Sequence, residues 1–126
     1  MGKLKEMKLY GTTSALGALT VNGTQAVFGR LFAVRWIDGG FANGVDAVIS
    51  TQTHEAAATL LTLTDANDDA TYYPKEAVCD NTGAALTVSQ DSVTHDLPIM
   101  VGIPRMVVSS GGATAEGGCV LFYFED

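Results

Sequence analysis

Phe28-Gly29-Arg30-Leu31-Phe32-Ala33-Val34-Arg35-Trp36-Ile37-Asp38 is the longest run of strand-forming residues in the chain, and it holds the only tryptophan. Read as a strand, it sends alternate side chains to opposite faces. Phe28, Arg30, Phe32, Val34 and Trp36 then share one face, and Gly29, Leu31, Ala33, Arg35 and Ile37 share the other. The first set is large and aromatic, which places it in a core. The second is smaller but still partly apolar, and a strand apolar on both faces is usually covered on both. In a chain of 126 residues, the second cover is expected to be another subunit. A helix is the competing reading of a short apolar run. The aromatic and β-branched content, and the Asp38-Gly39-Gly40 that closes the run, favour a strand.

Outward from this stretch, turn signals divide the chain into short strands. Lys3–Tyr10 alternates and reads as a strand or an arm. Gly11–Ala18 reads as a loop, Leu19–Val21 as a short strand, and Asn22-Gly23 as a turn. Strands are expected over Val45–Thr51, Thr59–Thr64, Thr71–Pro74, Ala84–Val88, Leu97–Val101, Arg105–Ser109 and Cys119–Glu125. His54–Ala58 is ambiguous, since its Glu55–Ala58 would make one helical turn too short to stand alone. Gly102 and Pro104 are expected to interrupt the penultimate pair of strands, and Gly111–Gly118 reads as a flexible hairpin loop. About eight short strands with no long helix predict an all-β fold, an antiparallel β-sandwich or barrel. With no internal repeat and no linker, residues 1–126 read as one domain, in which 1–27 supply an N-terminal arm and the first strands.

Composition narrows the function classes. Hydrophobic residues make up 47% of the chain and charged residues 17%, so a packed fold rather than disorder is expected. The net charge is −7. Of the basic residues, Lys3, Lys5 and Lys8 sit together, while Arg30, Arg35, Lys75 and Arg105 are scattered. That is no footprint for nucleic acid. No apolar run approaches the ~18–20 residues of a membrane span, and no apolar segment follows the N-terminal lysines. A chain made in the cytoplasm is expected, with Cys79 and Cys119 as two free thiols, although a bridge between them is allowed by count.

Candidate chemical sites are thin. Asp65, Asn67, Asp69 and Glu76 fall at the first, third, fifth and twelfth positions of a calcium loop. Ala70 replaces the required glycine, however, and Pro74 lies inside the loop, so an Asx-rich turn is the better reading. His54 and His95 lack a ligand spacing. His95-Asp96 would pair a base with an orienting acid, but no nucleophile elbow accompanies it. Cys119 begins a core-like strand, where a buried inert thiol is expected. No catalytic residue, cofactor or metal is expected. Half of the aromatic residues at Tyr72-Tyr73 and Phe122–Phe124 go to the core by alternation. The other half supply interface anchors, and the residues chosen for that role are Leu31, Arg35, Ile37, Tyr72, Tyr73 and Tyr123.

The order of motifs also resembles a known group. Gly29–Trp36 is followed by Val45–Ile49, then by Leu60-Leu61-Thr62-Leu63-Thr64, Tyr72-Tyr73-Pro74-Lys75 and Asp80-Asn81-Thr82-Gly83-Ala84-Ala85-Leu86. Pro98-Ile99, Gly102-Ile103 and Val107–Gly112 precede the closing strand. Over about residues 28–126 this resembles small virion structural proteins of tailed bacteriophages, some of them capsid decoration or cement proteins. Residues 1–27 diverge most from the group. The resemblance implies a jelly-roll-like sandwich on the outer capsid surface, with the major capsid protein and further copies of itself, as a dimer or trimer, for partners. Its expected role is adhesive stabilisation of the head. The alternatives are a tail or baseplate component, a small carbohydrate-binding adhesin using Trp36 or Tyr72 with Tyr73, and a small hydrolase built on His95 and a cysteine.

Overall fold

A computed structural model describes residues 2–53, 56–77, 82, 84, 87–89, 92–93 and 95–125. These form strands β1 (Lys3–Thr12), β2 (Leu19–Asn22), β3 (Val27–Ile37), β4 (Asp46–Thr53), β5 (Ala56–Leu63), β6 (Ala70–Tyr72), β7 (Glu76–Ala77), β8 (Thr87–Ser89), β9 (Ser92–Val93), β10 (His95–Asp96), β11 (Ile99–Ser109) and β12 (Glu116–Glu125). The all-β, antiparallel expectation holds. Residues 56–58, read as an ambiguous helical turn, belong to β5. His54, Val78 and Cys79 lie outside the described residues, as do Ala85 and Leu86 of the strand expected over Ala84–Val88, of which Thr87 and Val88 are in β8.

The deciding stretch is a strand, but it does not keep one face inward. Val27, Leu31 and Ala33 are buried in its first part, whereas Val34 and Trp36 are buried in its last. The inward parity changes because β3 bulges against β12. Tyr123 pairs with Leu31 and Phe122 with Ala33, which leaves Phe32 as the extra residue. Phe28, Arg30 and Phe32 therefore turn outward, contrary to the single-face expectation. Val34 and Trp36 point inward as expected. Trp36 is fully buried, donates its Nε1–H to the Ala66 carbonyl at 2.9 Å, and stacks on Phe41 at 5.6 Å.

The main sheet runs β1-β12-β3-β11-β4-β5, with β6 beside β3 and β2 beside β11. It folds over on itself into two layers, and the buried residues of both form one cluster. The link between the layers is β11. Its first residues, Ile99–Gly102, pair with β3, and its later residues pair with β2 on one side and β4 on the other. Gly102 takes a φ of +113°, which permits the change of direction. Pro104 stands between the β3 and β2 pairings, and its carbonyl still accepts the Gly23 N–H at 2.7 Å. The expected break at Gly102 and Pro104 is thus a corner within one strand. The strand order does not establish a jelly roll.

The hairpin expected across Gly111–Gly118 is absent, and the turn at Asn22-Gly23 joins no hairpin either. β2 and β3 do not pair with each other but lie in line along β11. The segment after β11 crosses to β12, which pairs with β1 and β3, and it is pinned rather than loose. Thr13 Oγ1 donates to the Gly112 carbonyl at 2.6 Å and accepts the Ala115 N–H at 2.8 Å. The Gly111 N–H reaches the Gly17 carbonyl at 3.0 Å.

Candidate interaction surface

Directly paired residues in a sheet project to the same side. The register therefore sets Leu4, Phe124, Arg30 and Ile99 in one outward row across β1, β12, β3 and β11. Phe28 and Val101 form the next pair along β3 and β11. Phe28 is 59% exposed, Leu4 55% and Ile99 54%, and Ile103 continues the apolar line along β11. Phe32, pushed outward by the bulge, meets Phe124 and Tyr73 edge-on at ring distances of 5.7 and 6.0 Å. Isolated exposed apolar residues are ordinary, but a contiguous group of this kind marks an interaction surface.

Two ion pairs lie near this row: Arg30 is in it, whereas Lys5 and Glu125, opposite Tyr123 and Gly29, fall on the other side of the sheet. Arg30 reaches Asp96 at 3.1 Å and Lys5 reaches Glu125 at 2.7 Å. The hydrogen bond to Glu125, with the attraction of that carboxylate, raises the Lys5 pKa above its ordinary value. Both pairs are solvent-exposed, and such pairs hold geometry more than they stabilise a fold. Asp96 also accepts the Leu97 N–H at 2.7 Å, and Glu76 accepts the Ile99 N–H at 3.2 Å. The short ribbon of β7 and β10 is thereby tied to the end of the apolar face.

Of the six anchors chosen from sequence, Leu31 and Tyr123 are corrected. They pair with each other across β3 and β12 on the inward side, at 0% and 2% exposure. Tyr72 is half-buried and packs against the core, and Ile37 is also half-buried. Arg35 is exposed and donates to the Thr71 hydroxyl at 3.1 Å. Only Tyr73 joins the aromatic face. Sequence reasoning missed Phe28, Phe32, Ile99, Val101 and Leu4. Arg30 was the available signal, because a charge on a face assigned to the core argues that the face is outward.

The other candidates resolve differently. Trp36 is buried, so it cannot stack on a sugar. Cys119 is a free, fully buried thiol whose pKa burial pushes up to about 12. His95, by contrast, is exposed. Asp65–Asp69 forms the turn between β5 and β6. Asn67 Oδ1 accepts the Gly44 N–H at 2.7 Å, Asp69 Oδ1 accepts the Asp38 N–H at 2.8 Å, and Asp46 Oδ1 accepts the Asp65 N–H at 3.0 Å. These side chains clasp the loop after β3. Among the described residues Asp38 Oδ1 is buried without a hydrogen-bond partner, and desolvation, with Asp69 and Asp68 nearby, raises the Asp38 pKa. Among the described residues, no three His, Cys, Asp or Glu side chains are arranged to hold a metal.

No family model, curated protein or solved structure matches the chain.

Proposed function

We propose that the protein is a bacteriophage virion structural protein that binds the outer capsid surface as a decoration protein, without chemistry of its own. The observation that supports this reading is the outward apolar face running from Leu4 through Phe124 and Phe28 to Ile99. A broad sheet face of this kind suits docking on a folded protein surface, where apolar and aromatic residues supply the anchors. In this reading the major capsid protein is the partner, and the site exists only on the assembled shell. A ligand that binds only the assembled state stabilises it by mass action, and many symmetric copies add avidity. The chain is made in the host cytoplasm and ends on the virion.

The test is to separate heads from tails of purified virions and count the protein in each by quantitative mass spectrometry. Many copies on heads, in fixed ratio to the major capsid protein, is the expected result. A few copies confined to tails would replace this reading with a baseplate or adhesin role.

A further inference from the structure

The main path of the sheet ends in β1 and β5, which are opposite in character; the other strands with a single pairing, β2 and β6, are only four and three residues long. β1 carries Lys3, Lys5, Glu6 and Lys8. Lys5 is held by Glu125, and the Lys8 ammonium lies 4.6 Å from the centre of the Tyr10 ring. Charged residues, lysine above all, discourage another strand from adding to an edge. The far edge is β5, Ala-Ala-Ala-Thr-Leu-Leu-Thr-Leu, with no charge and no proline. It pairs with β4 on one side, and among the described residues no strand lies on its other side. A bulge opposite Ile49 and Ser50 absorbs Leu60 and divides the edge into two regular parts, Ala56–Thr59 and Leu61–Leu63, of which the second carries the leucines.

The faces of that segment are well defined. Leu61 and Leu63 pair with Ile49 and Ala47 and pack on the core, yet Leu61 stays half-covered. Thr62 points outward and is exposed, beside Val48 and then Val107 in the next strands. The edge thus offers unpaired main-chain groups, a half-covered leucine, and no charge, in a chain of net charge −7.

We infer that β5 pairs antiparallel with β5 of a second copy about a two-fold axis at Thr62. The two β5 backbones supply each other's missing donors and acceptors. An axis normal to the sheet sets Thr62 beside Thr62 of the second copy and Leu61 beside its Leu63. The Val107–Val48–Thr62 row then runs on across both copies. An isologous contact brings like residues together, so net charge opposes it least where the edge is neutral. A charged partner strand has no complementary group to meet here. This inference does not depend on the virion reading, and it leaves the Phe28 face free for other partners.

Sedimentation of the full chain over a range of concentrations tests it. The wild type is expected to be a dimer that dissociates on dilution. Thr62→Lys sets two ammonium groups side by side at the axis and should weaken association by about tenfold or more. Because Thr62 is exposed in the single chain, circular dichroism should stay as in the wild type, and Tm should match the wild type at dilutions where both are monomeric. Thr62→Val should remain dimeric. A wild-type monomer at the highest soluble concentration would overturn the inference. So would an undiminished Thr62→Lys dimer, or a dimer lost with Phe28→Ser while Thr62→Lys keeps it.

Discussion

The two halves of β3 are built from similar residues and do opposite things. Before the bulge, Phe28 and Phe32 face outward while Leu31 fills the core; after it, Val34 and Trp36 fill the core while Arg35 faces outward. The partners differ as well. The first half lies between β12 and β11, and the second between β12 and β6. One extra residue converts a strand that alternation would make aromatic on one face into a strand that divides its aromatics between core and surface. A bulge therefore acts on function as much as on shape, because it decides which large side chains a partner can reach.

The largest test of this division is a pair of truncations. Trp36→Ala removes a stacked ring and a buried hydrogen bond, and should cost about 3–5 kcal/mol. Phe28→Ala, on the outward half of the same strand, should stay within roughly 0.5–1 kcal/mol of wild type. Denaturant midpoints measure both. Equal losses would mean that Phe28 is a core residue and that the division is wrong.

A smaller effect tests the packing that holds the first half against β12. A Cβ on Gly29 would overlap the Phe124 carbonyl oxygen, a backbone atom that cannot swing aside. Gly29→Ala should therefore destabilise by about 1–3 kcal/mol through overpacking. An unchanged Tm would show that β3 and β12 are less closely apposed than described.

The smallest effect lies just past the second half of the strand, at Asp38. Its folded pKa is raised above the ordinary carboxylate value of 3.8 by desolvation and by Asp69 and Asp68. The folded protein thus holds this proton more tightly than the unfolded chain does. Stability contributed by the protonated form is lost as pH rises through 3.8 to the folded value. Asp38→Asn lacks that loss. Relative to wild type, the variant should gain stability between acid and neutral pH, with the difference fading below the ordinary carboxylate range. Paired urea melts at acid and neutral pH measure it, and a difference that grows toward acid would reverse the assignment.

Much of the fold was legible because alternation and turn residues are local signals. The aromatic closing strand divides Phe122 and Phe124 from Leu121 and Tyr123, as its spacing predicts. The turn at Asp65–Asp69 falls where its Asp and Asn residues predict one, although Asn67 and Asp69 bond the distant backbone of Gly44 and Asp38 rather than their own. What was not legible depends on a second strand. The bulge at Phe32 exists only against β12, so period-two reading carried one parity through it and sent Phe28 inward. The corner in β11 read as two strands because Gly102 and Pro104 are breakers in isolation, whereas here the neighbouring strands change over at that point. The apolar surface was illegible for the same reason, since Leu4, Phe124 and Ile99 meet only through pairings that span the chain.

The pairing of β1 with β12 sets Lys3 opposite Glu125, which bears on how the chain is made. β1 has no ladder partner until β12 leaves the ribosome, and β3 lacks both of its long neighbours until β11 and β12 follow. At roughly 5–20 residues per second, early strands wait for seconds with their backbone unpaired. Contacts of such long sequence separation also slow the final closure. During that interval the lysines of β1 keep the nascent edge apart from other chains, so they serve the unfinished protein before they serve the finished one.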